Sequence, residues 1–141
     1  MEERILVVDD DRDTADTMAK LIRTLGYEAK PVYDGLQAVE EVAAYAPDMA
    51  LIDISMPEHD GYETVELIRQ LPEGLHCILV AVTGWARQQD KSRAYEAGFD
   101  LHVTKPMRAE TLQELLALVG PPDTRLPQVL QVSPGIVGVG S

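Results

Sequence analysis

The sequence predicts an α/β fold with a mainly parallel five-stranded sheet and five helices, from three observations. Short β-branched apolar runs alternate five times with stretches that carry apolar residues at helical spacing. Those runs are continuously apolar rather than alternating, as strands covered on both faces are. The notable polar residues fall at or just after the ends of the runs, where open α/β sheets form their binding crevice. Right-handed crossovers then place helices on both faces.

Arg4-Ile5-Leu6-Val7-Val8 is the first strand and stops at Asp9-Asp10-Asp11. A helix follows, with Ala15, Met18, Ala19, Ile22 and Leu25 inward, Asp11 or Asp13 as its cap and Gly26 as its stop. Tyr27 to Val32 is more polar and holds Pro31, which lacks the N–H of a central strand, so it reads as a sheet edge. Asp34-Gly35 turns into a second helix carrying Ala38, Val39, Val42 and Tyr45. Met49 to Ile54 is the third strand, and a loop holding Pro57 and Gly61 leads to a helix over Tyr62 to Leu71. Cys77 to Val82 is the fourth strand, ending at Thr83-Gly84. Trp85 to Ala97 is a fourth helix of low apolar content, closed by Gly98. Leu101-His102-Val103 is a brief fifth strand, and a last helix runs over Arg108 to Val119. Residues 1–119 therefore form one domain. From Gly120 the composition turns to Pro121, Pro122, Pro127, Pro134 and a Gly/Val ending, which reads as a flexible tail over 120–141.

Composition narrows the function classes. The 141 residues are 45% hydrophobic and 26% charged, ordinary for a globular chain. Asp and Glu number 24 against 12 Lys and Arg, a net charge of −12, which argues against a nucleic-acid-binding face and fits cations or basic partner surfaces. The single cysteine, Cys77, opens an apolar run and reads as a buried thiol; no disulfide framework is possible. No apolar run approaches the roughly 20 residues of a membrane span. The N-terminus does not look like a signal peptide, so a cytoplasmic location is expected.

Asp9 and Asp10 follow the first strand, Asp53 lies near the end of the third, Thr83 follows the fourth and Lys105 the fifth. If the first and third strands are neighbours, three carboxylates converge, and their repulsion demands a cation or raised pKa values. Hard oxygen ligands of this kind suit Mg²⁺. An ionised Asp53 is then a nucleophile, and an aspartyl phosphate is a known product of such a carboxylate. Lys105 supplies a point charge and Thr83 a hydroxyl for phosphoryl oxygens. Each residue alone has a plainer reading: a helix cap for one of the aspartates, an ion-paired Asp53, a surface lysine, a strand-end hydroxyl. Their joint placement after four strands favours the chemical one. His59 and His76 lie in polar loops and read as solvent-exposed.

Ile5-Leu6-Val7-Val8-Asp9-Asp10, Asp53-Ile54-Ser55-Met56-Pro57 with Asp60-Gly61, Ala81-Val82-Thr83-Gly84 and Thr104-Lys105-Pro106 resemble, in order and spacing, the motifs of response-regulator receiver domains. The resemblance covers residues 3–119 and implies a flavodoxin-like strand order 2-1-3-4-5, for which a receiver is a standard example. It implies Asp53 as phosphoacceptor and Mg²⁺ (Mn²⁺ as an alternative) held by Asp10, by Asp9 through water, by Asp53 and by the Ser55 carbonyl. It also implies Thr83 and Lys105 on the phosphoryl oxygens, with a cis bond before Pro106. Two positions depart from the common pattern. His102 stands where the family often has a switching Tyr or Phe, as in some receivers of hybrid kinases, which suggests a pH-sensitive switch. Trp85, two residues beyond Thr83, is bulky enough to shield the phosphoryl group and slow its loss.

Other classes fit less well. A phosphatase working through an aspartyl phosphate wants a leaving-group acid two residues after the nucleophile, where this chain has Ser55. A flavin carrier wants a Ser/Thr/Gly phosphate loop after the first strand, where this chain has aspartates. A phosphorylation-independent scaffold would have no need of the intact set. The expected partners are a histidine kinase or histidine phosphotransfer protein and a downstream protein on the face of the fourth helix, fifth strand and last helix, with a phosphorylation-dependent homodimer as an option. Binding to DNA or membrane is not expected, and the tail is too short for an output domain. Met1 favours a stand-alone regulator over a piece of a hybrid kinase.

Overall fold

The computed structural model describes residues 3–54, 61–84, 96–105, 107–119 and 136–138. Its strands are β1 (Arg4–Val8), β2 (Glu28–Val32), β3 (Met49–Asp53), β4 (Ile78–Thr83), β5 (Leu101–Thr104) and β6 (Ile136–Gly138). The helices are α1 (Arg12–Thr24), α2 (Gly35–Tyr45), α3 (Gly61–Ile68) and α4 (Ala109–Ala117). The sheet order is β2-β1-β3-β4-β5-β6, and the first five strands are all parallel, as expected. The expected fourth helix lies outside the described residues except for its helical end, Glu96 and Ala97.

The sheet corrects the expectation in one respect: it has a sixth strand. Ile136–Gly138, inside the stretch read as a flexible tail, pairs antiparallel with β5, matching Leu101 to Gly138, His102 to Val137 and Val103 to Ile136. Three residues beside Gly and Pro carry no apolar period for a sequence reading to detect. The remainder of the tail lies outside the described residues. A second correction is small: α3 begins at Gly61 and ends at Ile68, and a 3-10 turn, Pro72–Gly74, follows it.

Alternation along the strands divides the core. Ile5, Val7, Met49, Leu51, Val80 and Val103 face α1 and α4, and Leu6, Val8, Ala50, Ile52, Leu79 and Ala81 face α2 and α3. All five residues of β3 are buried, so the middle strand is enclosed on both sides. Each fully buried aliphatic side chain contributes about 1.5–3 kcal/mol. This explains why the run reads as continuously apolar until Asp53.

The local stops follow the sequence. Asp11 caps α1, accepting from Thr14 N at 3.3 Å, and Asp34 caps α2, accepting from Gln37 N at 2.7 Å. At the end of the sheet where β4 and β5 begin, Arg69 ties the chain together. Its guanidinium donates to the carbonyls of Gly98 (2.9 Å), Gly74 (2.8 Å) and Cys77 (3.0 Å) and to the Asp100 carboxylate (2.7 Å). That carboxylate also accepts from Leu79 N at 2.9 Å.

Gly61 sets how closely α3 approaches the strand behind the site. A Cβ there would stand 2.7 Å from Ile54 Cα and 3.1 Å from the Asp53 carbonyl oxygen, so a side chain would force the backbone apart. Gly61→Ala is expected to cost about 1–3 kcal/mol, read as a lower urea midpoint at unchanged slope. Gly84→Ala, where a Cβ meets nothing within 4 Å, is the control and stays within about 0.5 kcal/mol.

Candidate functional site

The parallel register brings the predicted residues to one edge of the sheet. β1 and β3 are neighbours, with Val8 opposite Ile52, so the aspartates after β1 lie beside Asp53. Asp53 pairs with Val82, and Thr83 with Thr104, the residue before Lys105. One carboxylate oxygen from each of Asp9, Asp10 and Asp53 falls within 4.8 Å of the others. Asp9 and Asp53 are buried while Asp10 is exposed, which makes a cluster closed below and open to solvent at one corner.

The backbone helps to hold these groups. Asp9 N donates to Val32 O at 3.1 Å, and the Asp9 carboxylate accepts from Asp11 N at 2.9 Å. Ile54 N donates to Val82 O at 3.1 Å, which fixes the strand just beyond Asp53. Lys105 N donates to Thr83 O at 2.7 Å, and its ammonium donates to Asp53 Oδ2 at 3.1 Å. The Lys105 side chain is 38% exposed and that of Asp53 is 6% exposed, so this pair is screened from the lysine's side only.

Burial pushes the Asp9 carboxyl up to about 6, and the charges of Asp53 and Asp10 add to the rise, while the Asp11 N–H and Lys105 oppose it. An apolar cavity of about 520 Å³ adjoins the carboxylates on the α1 side, with Val7, Leu51, Val82, Met18 and Met107 in its walls. Met18 was legible as an inward position of its helix. Met107, between β5 and α4, carries no pattern that would have marked it.

Thr83 and His102 are placed differently from the carboxylates. By alternation Asp53 is in step with Leu51 and Met49, on the α1–α4 face. Thr83 is in step with Ala81 and Leu79, on the α2–α3 face, and His102 is opposite Ala81 there. The two are therefore diagonal neighbours on one face of β4 and β5, 1% and 0% exposed. Among the other expected residues, Ser55, Trp85 and Pro106 lie outside the described residues, as does His59, while His76 is exposed.

Comparison with known proteins agrees with this geometry. The family profile described as the response regulator receiver domain matches residues 5–117. The chain belongs to that family. It is 38% identical over 114 residues to the sensor histidine kinase RcsC of Salmonella typhimurium, a match covering 81% of this chain and 12% of RcsC. This receiver thus spans about one eighth of the length of that relative. An uncharacterised 14.6 kDa protein of Leptolyngbya boryana is 34% identical over 122 residues, covering 84% of this chain and 93% of its own. Among solved structures, the receiver domain of the sensor histidine kinase PA1611 from Pseudomonas aeruginosa superposes with a TM-score of 0.76 at 30% identity. That match covers 84% of this chain and 97% of the other. The PA1611 receiver has a magnesium ion coordinated in its active-site cleft.

The acidic cluster fits such a cation on its own chemistry. It offers three hard oxygen donors from two strand ends, and burial, with the charges of Asp53 and Asp10, raises the Asp9 carboxyl to about 6. Because the folded-state value of Asp9 lies above its ordinary 3.8, its contribution to stability is full below about pH 4 and is lost as pH rises through about 6. Asp9→Asn is therefore expected to stabilise the metal-free chain at pH 7.5 by about 1–3 kcal/mol. The gain should vanish near pH 4, as read by urea unfolding at the two pH values in chelator.

Proposed function

We propose that this receiver accepts a phosphoryl group on Asp53 and stores it as a signal, without turning over a separate substrate. The observation that carries this is the Asp9, Asp10 and Asp53 cluster within 4.8 Å, with the Lys105 ammonium 3.1 Å from Asp53 Oδ2. A carboxylate so placed is nucleophilic, desolvated on one side and already paired with a cation that can follow a phosphoryl oxygen. The donor is a phosphohistidine of a histidine kinase or phosphotransfer protein. An Asp53 oxygen attacks phosphorus, the P–O bond forms, the P–N bond breaks and the imidazole leaves with its electron pair.

Asp9, Asp10 and Asp53, with the Ser55 carbonyl, would hold the Mg²⁺, which neutralises charge on the transferring group. Lys105 leaves Asp53 for the phosphoryl oxygens, and the Thr83 hydroxyl donates to another. Movement of Thr83 is felt by His102, its diagonal neighbour on the same face, which takes the place of an aromatic switch residue. A downstream partner reads the change at the surface around β5 and α4.

Incubation with acetyl phosphate and Mg²⁺ is expected to add one phosphoryl group by intact mass. Asp53→Asn and chelation both abolish the adduct, and Lys105→Met slows its formation about tenfold or more. Labelling that persists in Asp53→Asn, or no labelling with any donor, overturns the assignment and leaves a binding scaffold. Trp85 is assigned to shielding the phosphoryl group from water. Trp85→Ala should shorten the lifetime of the adduct several-fold, and an unchanged lifetime removes that role.

A further inference from the structure

The core face that carries Asp53 is not filled to its upper end. Val82 stands opposite Asp53 on a central strand and is turned toward α1 and α4, yet it is only half-buried. One step deeper on the same face, Leu51 and Val80 are buried. Across the same space Met18 on α1 and Met107 before α4 are half-buried as well. Protein interiors keep few voids larger than a water molecule. The cavity of about 520 Å³ that these side chains enclose is therefore a cleft and not a packing defect.

The described walls are of two kinds. Val7, Leu51, Val82, Met18 and Met107 are apolar, while Asp9, Asp53 and Lys105 supply charge at one end. Lys105 is bonded to Asp53 at 3.1 Å, and the Asp9 carboxylate accepts from a neutral donor, Asp11 N, at 2.9 Å. Two carboxylates and one ammonium leave that end one negative charge in excess, and the Asp10 carboxylate lies within 4.8 Å of both. Asp9 and Asp53 are 6% and 5% exposed, so their charge is felt in a desolvated place. A hydrated Mg²⁺ keeps several waters and makes no use of apolar walls. An apolar concavity of a few hundred Å³ with a few convergent polar groups is instead the common form of a small-molecule site.

We propose that this cleft binds a small organic monocation, a primary ammonium on a compact apolar body of the arylalkylamine class. The ammonium donates to the Asp9 carboxylate on the side of Asp53, and the ring lies among Leu51, Val82, Met18 and Met107. Thioethers make favourable contacts with aromatic rings, which suits the two methionines to that place. Leu51 and Asp53 are two residues apart on one face of β3, about 6.6 Å along the strand. A ring joined to an ammonium by two carbons spans that distance. The excess negative charge rejects carboxylate ligands, and the apolar walls reject cations that keep their water. The ammonium takes carboxylates assigned above to Mg²⁺, so ligand and metal exclude each other. That consequence rests on the metal assignment in the proposed function; the binding itself does not.

Nuclear magnetic resonance of the full chain with isotope-labelled methionine methyls tests this, in chelator and without a phosphoryl donor. Titration with phenethylammonium should shift the Met18 and Met107 methyls saturably, with a Kd of order 1 mM. The methyl of Met49, at the far end of β3, should stay in place. Methylammonium, which lacks the ring, and phenethyl alcohol, which lacks the charge, should each bind at least roughly tenfold more weakly. Asp9→Asn should weaken binding by a similar factor, and Val82→Phe, which fills the cleft, should abolish it. No saturable shift at about 20 mM probe overturns the proposal. Equal binding of either analogue, or undiminished binding in Asp9→Asn, overturns it too. With Mg²⁺ added the apparent Kd should rise. A chain that binds the probe but not Mg²⁺ keeps this inference and sinks the metal assignment; one that binds Mg²⁺ but not the probe does the reverse.

Discussion

Two carboxylates buried beside each other at the ends of adjacent strands are the constraint on which this structure turns. Asp9 and Asp53 are 6% and 5% exposed, and one lysine is bonded to Asp53. A fold arranged for stability alone would not place them so. The surroundings limit the damage by small devices: an Asp11 N–H on the Asp9 carboxylate, the Lys105 ammonium on Asp53, and a solvent-facing Asp10 that completes the cluster without itself being buried. Each is weaker than a divalent cation in the same position. The cluster suits an occupant that brings positive charge, and the raised value of Asp9 records the burial of its carboxyl beside two other carboxylates.

The rest of the molecule supplies rigidity where the cluster needs it. β3 is enclosed on both faces, α3 is pressed against the residue after Asp53 through Gly61, and β5 is tied to β4 by the Lys105–Thr83 backbone bond. Thr83 and His102 lie on the opposite face of the sheet from Asp53, and the ends of β4 and β5 join the two faces.

Much of this was legible before any coordinates. Continuous apolar runs mark doubly covered strands, Asp11 and Asp34 announce helix starts, and Pro31 marks an edge, because each reflects short-range chemistry. The convergence of Asp9, Asp10 and Asp53 also followed once β1 and β3 were taken as neighbours. What stayed hidden depends on distant pairing. Ile136–Gly138 has no apolar alternation to announce a strand, and its partner lies more than thirty residues earlier. Strand ends gave Thr83 the right neighbourhood but not its face, since the face a residue joins depends on how its strand pairs with its neighbours and which helices cover that side. Arg69 carries no motif at all; its significance comes from carbonyls contributed by the connections before β4 and before β5.

That arginine has a consequence for recombination. Residues 69, 74, 77, 98 and 100 are knit by a single guanidinium and one carboxylate. A crossover between homologous genes that separates Arg69 from Asp100 would keep the backbone acceptors but leave the one side-chain pair, Arg69 with Asp100, to what each parent supplies. Chimaeras with junctions before 69 or after 100 inherit the knot whole. The two ends of that stretch are thus joined by one ion pair, although in the chain they look like independent pieces.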